Sequence, residues 1–182
     1  SVECARVEQA QRLGAAHAVI QGMPAMDGLD RVLVLYGDVP LIRPETLRRL
    51  LDHAAQVPLG LLTMNLADPA GYGRIMRDHH GDILRIVEHK DATAVELGIH
   101  EVNTGIIVAD RVRLNDWLAR VGSANSQGEY YLTDVVGLAV CDGAKVASAQ
   151  PDFPEEVAGV NDRVQLAMLE RWHQGREAER LM

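Results

Sequence analysis

The feature that most constrains the fold is an unbroken apolar run at positions 32–36, which ends at Gly37 and Asp38. Five apolar or aromatic residues without polar alternation predict a strand covered on both faces, as in the middle of a parallel sheet packed between helices. Asp38 would then stand just past the carboxyl end of the strand, where open α/β sheets bind ligands. A carboxylate there could hold a divalent metal, although an Asp that only ends the strand or caps a turn fits the pattern equally well.

Composition and charge narrow the class of protein. The chain has 182 residues, of which 47% are hydrophobic and 24% charged, as expected for one globular domain. A formal net charge of -8 argues against sequence-independent binding of nucleic acid. Cys4 and Cys141 are far apart, which favours reduced thiols, and no run of about 18 apolar residues would span a membrane. We therefore expect a cytoplasmic protein without nucleic acid or membrane partners.

Apolar spacing around the central run predicts helices and a second strand. A helix is predicted at residues 15–21, after a loop at Gly14, because glycine costs about 1 kcal/mol inside a helix. A second helix is predicted to begin at Pro44 and to carry an apolar stripe. The next apolar run, at 61–66, completes a strand, helix and strand, which predicts a right-handed connection and a parallel α/β sheet.

The second half of the chain alternates in the same way. Residues 74–77 and 83–87 flank a polar tip and predict a β-hairpin. A strand at 102–108 carries Asn103 in an apolar run, so its amide must bond to the backbone or face a ligand pocket. A last short strand is predicted at 146–149.

Several polar residues allow two interpretations from their pattern alone. The charged residues 88–91 follow a strand and could form a solvated loop. Thr133 and Asp134 fall on the polar face of a predicted helix, where solvation is the simplest role. Either Asn161 or Asp162 could cap the last helix, and Asn161 could instead supply a second oxygen to a metal.

Seven short segments, spread over nearly the whole chain, occur in one fixed order. Together they closely resemble the uridyltransferase domain of the bifunctional bacterial N-acetylglucosamine-1-phosphate uridyltransferase/glucosamine-1-phosphate acetyltransferase family. The segments are LGAAHA (13–18), YGDVPL (36–41), GYGRI (71–75), IVEHKDA (86–92), EVNTG (101–105), GEYYLTD (128–134) and GVNDR (159–163).

The resemblance implies a Rossmann-like nucleotidyltransferase fold, α/β, with a mixed, mostly parallel sheet flanked by helices and a small β-hairpin insertion. It implies Mg²⁺-dependent formation of UDP-N-acetylglucosamine and pyrophosphate from UTP and N-acetylglucosamine 1-phosphate, a step toward cell-wall precursors. Two alternatives stay open, a pyrophosphorylase for another sugar phosphate and a non-catalytic sugar-nucleotide-binding or interaction module.

The resemblance also implies roles for individual positions. On the nucleotide side, Gln9 would bond the uracil edge, and Gly14 and Ala15 would place backbone against the nucleotide. Asp38 and Asn161 would hold the metal and so form the catalytic pair.

On the sugar side, Tyr36 and Gly37 would line the pocket shared by nucleotide and sugar. Gly73, Glu88 and Asn103 would bond the N-acetylglucosamine moiety.

The chain departs from the family pattern in two respects. Where the family shows Gly-Thr-Gly-His-Ala, Ala15 lacks the expected hydroxyl. The family's first strand and Gly-rich loop would precede Ser1, and no hexapeptide repeats follow the predicted helix at about 161–182. We therefore expect one truncated domain over 1–182, no acetyltransferase activity and feeble or no uridyltransferase activity. The family's homotrimer is built largely by its C-terminal domain, so this chain is compatible with a monomer.

Overall fold

Helices and strands alternate along the chain as predicted. A computed structural model describes residues 4–182. The strands are β1 (Arg31–Val34), β2 (Leu59–Asn65), β3 (Arg74–Arg77), β4 (Ile83–Val87), β5 (Glu101–Asp110) and β6 (Val146–Ala149). The helices are α1 (Ala15–Gly22), α2 (Pro44–His53), α3 (Ala94–Leu97), α4 (Arg111–Leu118), α5 (Asp134–Cys141) and α6 (Arg163–Leu181), with 3₁₀ turns at Met23–Met26 and Pro154–Val157. The predicted hairpin and the last strand have the bounds expected from the sequence.

The sheet is mixed, and β5 organises it. The strand order is β4-β3-β5-β2-β6, and β1 pairs with the C-terminal half of β5 on the same side as β3. β1, β2 and β6 point the same way, but only β2 and β6 pair in parallel. The long strand β5 lies between β1 and β2 and runs antiparallel to both. The predicted mixed α/β sheet is confirmed, whereas parallel pairing is less extensive than predicted because β5 inserts between the first two strands.

Strand β1 is shorter and more open than its apolar run predicts. It ends at Val34, and Leu35 is 46% exposed. Within residues 4–182, β1 pairs with β5 alone, so its other edge is open. An apolar groove of about 420 Å³ lies between this edge and α1, lined in part by Val19 and Leu33. Val32 and Leu33 nevertheless pack into opposite apolar layers, so both faces of β1 are covered as predicted, whereas the predicted place in the middle of a parallel sheet is wrong because β1 pairs antiparallel with β5 alone.

Two apolar layers sandwich the rest of the sheet. Alternate residues of β5 enter opposite layers, since Ile107 packs with α4 and α5, whereas Ile106 and Val108 pack with α2. Leu50 of α2 and Trp117 of α4 are almost fully buried in these layers. The sheet is thereby fixed between helices, and the loops that flank its strands build the candidate site described below, which we call the cleft. No helix within residues 4–182 is both long and apolar enough to cross a lipid bilayer.

Candidate active site

The loop before α1 lies directly against Tyr130. The Tyr130 amide donates to the Leu13 carbonyl at 2.8 Å, and the Ala16 amide donates to the Tyr130 carbonyl at 3.0 Å. Gly14 lies between these bonds with φ 108°, and a Cβ on it would lie 2.6 Å from the Tyr130 oxygen. Only glycine tolerates both that φ and that approach. The structure thus joins the predicted nucleotide loop to the segment containing residues 128–134.

Gln9 also lies beside this loop. Its Nε2 donates to the Gly14 carbonyl at 3.3 Å and lies 3.0 Å from Nδ1 of His17. Its Oε1 accepts no hydrogen bond from residues 4–182, which leaves a free acceptor for an external donor. Ala15 is half-buried at the first position of α1. Gln9, Gly14 and Ala15 are therefore neighbours, as the resemblance implies.

The segment that carries Asn161 lies against Asp38. The Val160 amide donates to the Asp38 carbonyl at 2.8 Å, and a Cβ on Gly159 would lie 3.6 Å from Asp38 Oδ2. Asp162 caps α6 by accepting from the amides of two residues of its first turn, each at 2.8 Å. Asn161 is therefore not the cap, and its side chain is released from that role.

The chemistry of this pair fits a hard cation. Asp38 and Asn161 are exposed, and neither side chain is engaged in a hydrogen bond with the part of the chain that the structure describes. Mg²⁺ commonly takes one or two protein oxygens and completes its shell with water and substrate phosphates. Among residues 4–182, no group of three or more His, Cys, Asp or Glu could hold a metal without such help. The arrangement suits a cation shared with a phosphorylated ligand.

A second polar group forms where β3, β4 and β5 approach α5. The backbone amide of Asn103 donates to the Gly73 carbonyl at 2.8 Å. Thr133 Oγ1 donates to Glu88 Oε1 at 2.8 Å. A Cβ on Gly73 would lie 3.3 Å from Glu88 Oε2. Gly73, Glu88 and Asn103, which are distant in sequence, are thus brought together.

Two features of this group differ from what the pattern suggested. Solvation was the simplest role predicted for Thr133, and this is wrong, because its hydroxyl donates to Glu88. The sequence signal for a role of Thr133 was the segment GEYYLTD at 128–134, which contributes to the resemblance and is not accounted for by the helical pattern of apolar residues. Asn103 Oδ1 accepts from the backbone amide of Gly105 at 3.1 Å, so the side-chain amide of Asn103 is partly satisfied by the backbone. Asn103 Nδ2 has no partner within residues 4–182 and is free for a ligand.

Tyr36 lies two residues before Asp38, and its ring packs against Gly105, two residues after Asn103. Although 38% of Tyr36 is exposed, burial of its ring raises the pKa of the phenol, and the charges of Glu88 and Asp38 raise it further. Gly105 has φ 85°, and a Cβ on it would lie 2.5 Å from Tyr36 Cε2. Gly37 follows, with open space around its Cα. One aromatic side chain therefore connects both halves of the cleft.

Comparisons with known proteins agree with this architecture. A family model described as the MobA-like NTP transferase domain matches residues 1–85. A solved structure, the crystal structure of UDP-glucose pyrophosphorylase complexed with UDP-glucose, matches with a TM-score of 0.70 at 13% sequence identity. The match covers 92% of this chain and 64% of that one. These findings confirm the predicted nucleotidyltransferase fold.

Curated relatives match nearly the whole chain. The bifunctional protein GlmU of Pseudomonas putida (strain GB-1) is 56% identical over 176 residues, which are 97% of this chain and 38% of that protein. The GlmU of Aromatoleum aromaticum is 56% identical over 174 residues, 96% of this chain and 38% of that protein. The GlmU of Pseudomonas aeruginosa (strain LESB58) is 55% identical over 176 residues, with 97% and 38% covered.

The chain is homologous to one part of GlmU. This confirms the resemblance inferred from the seven segments. The chain spans about 38% of the length of these GlmU relatives. In this GlmU homologue, the segments that carry the resemblance are also those that meet around the cleft.

Proposed function

We propose that the chain is the uridylyl-transferring part of an enzyme that makes UDP-N-acetylglucosamine and pyrophosphate from UTP and N-acetylglucosamine 1-phosphate. The observation that carries this proposal is that Tyr36, two residues before Asp38, packs on Gly105, two residues after Asn103. Tyr36 thereby joins an oxygen pair suited to a cation and phosphates to a polar group suited to sugar hydroxyls and amides. The choice of nucleotide and sugar comes from the resemblance carried by the seven segments.

The reaction needs positioning more than proton transfer. An oxygen of the sugar phosphate is already anionic, attacks the α-phosphorus of UTP, and displaces pyrophosphate as the bond to the β-phosphate breaks. Mg²⁺ held by Asp38 and Asn161 would supply positive charge to the phosphates.

The remaining groups would orient the two substrates. Glu88 would accept from sugar hydroxyls, Asn103 Nδ2 would donate to the sugar, and the free Oε1 of Gln9 would accept from the uracil edge. The exposed free thiols of Cys4 and Cys141 fit a reducing cytoplasm, where we place the reaction.

Binding by this chain is the first test. We expect UDP-N-acetylglucosamine with Mg²⁺ to bind, as measured by calorimetry, and Glu88→Ala to weaken binding about tenfold because it removes one charge-assisted hydrogen bond. Glu155→Ala is the control, since Glu155 is an acidic residue of a turn outside the sugar group. Equal effects of the two variants would remove Glu88 from the sugar site.

Turnover is the second test. Pyrophosphate release from UTP, N-acetylglucosamine 1-phosphate and Mg²⁺ is measured for this chain, for a version extended at Ser1 by the family's Gly-rich loop, and for Asp38→Ala in that extension. Activity that requires both the extension and Asp38 supports the proposal. A folded, inactive extension would favour the non-catalytic interpretation, with Ala15→Thr as the first reversion to test.

A further inference from the structure

A fully buried carboxylate lies outside the cleft, in the 3₁₀ turn Pro154–Val157. Glu156 is 0% exposed. Its Oε1 accepts from the amides of Asp152 and Phe153 at 3.2 and 3.3 Å, and its Oε2 accepts from the hydroxyl of Thr46, which is itself fully buried. Glu156 thus joins the first turn of α2 to the turn that precedes α6.

Charged contacts extend this connection. Arg43 Nη1 lies 3.8 Å from Glu156 Oε1 and 3.2 Å from Asp152 Oδ2. Arg49 Nη2 lies 2.7 Å from Asp152 Oδ1. A buried ionic group is seldom a net source of stability compared with an apolar side chain of similar volume, although it can specify a unique geometry. The network is therefore better suited to fixing the relative position of two segments than to strengthening the fold.

The two segments are those that carry the metal pair. Asp38 lies five residues before Arg43, and Asn161 lies five residues after Glu156. The hydrogen bond from the Val160 amide to the Asp38 carbonyl joins the same two segments at their other ends. The chain from 38 to 46 and the chain from 156 to 160 thus form a ring, closed at one end by Glu156 and at the other beside the metal pair.

We propose that Glu156 is a positioning residue that fixes the separation of Asp38 and Asn161 and thereby sets the affinity of the site for its cation. It touches neither substrate nor metal and acts through the ring. The inference rests on the proposed function, because it takes Asp38 and Asn161 as the ligands.

The test measures Mn²⁺ binding by the loss of the free Mn²⁺ signal in electron paramagnetic resonance, in the presence of UDP-N-acetylglucosamine. We expect Glu156→Ala to weaken Mn²⁺ binding about tenfold, the lower end of the range for groups that orient metal ligands. Glu156→Gln should recover affinity to within about threefold, because its oxygen can accept from both amides and its nitrogen can donate to Thr46. Glu155→Ala, in the same turn, is the matched control and should bind as the wild type does.

A second measurement separates positioning from general damage. Binding of UDP-N-acetylglucosamine in EDTA should be the same in Glu156→Ala as in the wild type, because the sugar group is not part of the ring. Loss of both affinities by the same factor, or unchanged Mn²⁺ affinity, would overturn the inference.

Two further variants cover the remaining outcomes. If circular dichroism shows that Glu156→Ala is unfolded, Thr46→Val carries the test, with an expected loss of Mn²⁺ affinity of about threefold and the same overturning results. Asp38→Ala should abolish Mn²⁺ binding. If the wild type itself binds no Mn²⁺, or Asp38→Ala binds as well as the wild type, the metal assignment fails, and the inference fails with it. If Asp38 matters and Glu156 does not, only the inference fails.

Discussion

At the scale of single residues, the cleft depends on close contacts that leave no space for an added methyl group. The ring of Tyr36 lies on the bare Cα of Gly105, and this contact fixes the position of the ring. A substitution at Gly105 can therefore test the position of the Tyr36 ring.

We predict that Gly105→Ala displaces Tyr36 and destabilises the protein by about 2–4 kcal/mol. A residue with a side chain is strained by about 1–2 kcal/mol at φ 85°, and the clash with the Tyr36 ring adds the cost of overpacking. Urea unfolding measures the stability, and calorimetry should show weaker binding of UDP-N-acetylglucosamine.

Gly143→Ala separates strain from clash. Gly143 has φ 74° but has nothing within 4 Å of an added Cβ. It should cost only the strain, about 1–2 kcal/mol, and leave ligand affinity unchanged. Equal losses in the two variants would mean that the Tyr36 ring can move aside at no cost.

The raised pKa of Tyr36 predicts a stability difference at high pH. Because burial and the charges of Glu88 and Asp38 disfavour the phenolate, the folded protein keeps this proton at pH values where the unfolded chain has released it. The contribution of Tyr36 to the free energy of unfolding is thus complete below pH 10 and is lost as the pH rises through the folded-state pKa. Urea unfolding at a series of pH values should show that Tyr36→Phe loses less stability above pH 10 than the wild type.

Tyr72→Phe is the matched control for removal of a phenol. Tyr72 lies in the exposed loop before β3. Its curve of stability against pH should follow the wild type, and a Tyr36→Phe curve parallel to the wild type would contradict the assigned environment of Tyr36.

At the scale of elements, the hairpin β3–β4 is held to β5 by backbone pairing and by an ion pair. Arg77 donates through Nε and Nη2 to the two carboxylate oxygens of Glu101, each at 2.7 Å. Burial raises the pKa of Glu101, but the hydrogen bonds and charge of Arg77, together with the hydroxyl of Thr63, outweigh it, so the pKa of Glu101 lies below its usual value. The hairpin carries Gly73 and Glu88 at its ends, so this anchor supports one side of the cleft.

We predict that Glu101→Gln lowers stability by about 1–2 kcal/mol at pH 7, because a bidentate charged contact becomes a neutral one. Since the folded-state pKa is depressed, the contribution of Glu101 is present above its unfolded pKa near 4.5 and is lost as the pH falls through the folded value. The difference between wild type and variant should therefore shrink in acid, as urea unfolding at pH 7 and pH 3 would measure.

The pair Arg176 and Glu179 provides the comparison. It is an exposed pair three residues apart on α6, at 3.1 Å. Glu179→Gln should change stability by less than about 0.5 kcal/mol. A similar change in Glu101→Gln would mean that the hairpin is held mainly by its backbone ladder.

The elements that sequence predicted best are those set by local chemistry. The hairpin was predicted with its observed bounds because polar turn residues separate its strands, and α2 was predicted to begin at Pro44 because proline suits the first helical position. The insertion of β5 between β1 and β2 was missed, because strand pairing is decided by contacts between distant residues. The role of Glu156 was missed because an acidic turn is usually solvated, and only the fold places Thr46 beside it.

The residues of the cleft likewise divide into those that the local sequence pattern predicts and those that it does not. Asp38 could be proposed from its place after a strand, whereas its proposed partner Asn161 was equally compatible with a cap until Asp162 was seen to fill that role. Roles for Gln9, Gly73 and Glu88 came from the resemblance alone, since a lone Gln, Gly or Glu carries no local signal for a sugar or a base.

At the scale of the whole molecule, one side of the sheet remains open. In the part of the chain that the structure describes, β1 has one unpaired edge and an apolar groove beside it. Unpaired edges and apolar patches favour association with another chain. This surface therefore favours self-association, which increases with protein concentration.

We predict that the chain self-associates as its concentration rises and that Leu35→Lys reduces this association. Leu35 is exposed and lines the groove, so a charge there opposes its burial against a second molecule. Sedimentation equilibrium at several concentrations measures the effect. Leu51→Lys on α2, where Leu51 is 39% exposed, is the control and should associate as the wild type does. A wild type that stays monomeric throughout would contradict the prediction.

The contact between residues 13–16 and Tyr130 is made by main-chain atoms, so it should persist as the sequence diverges. A point mutation replaces a side chain, and no replacement at Ala16 other than proline removes the amide that donates there. Gly14 is different, because any other residue would bring a Cβ against the Tyr130 carbonyl. Substitutions should therefore accumulate at the neighbouring side chains, while the contact between residues 13–16 and Tyr130 is inherited with the backbone.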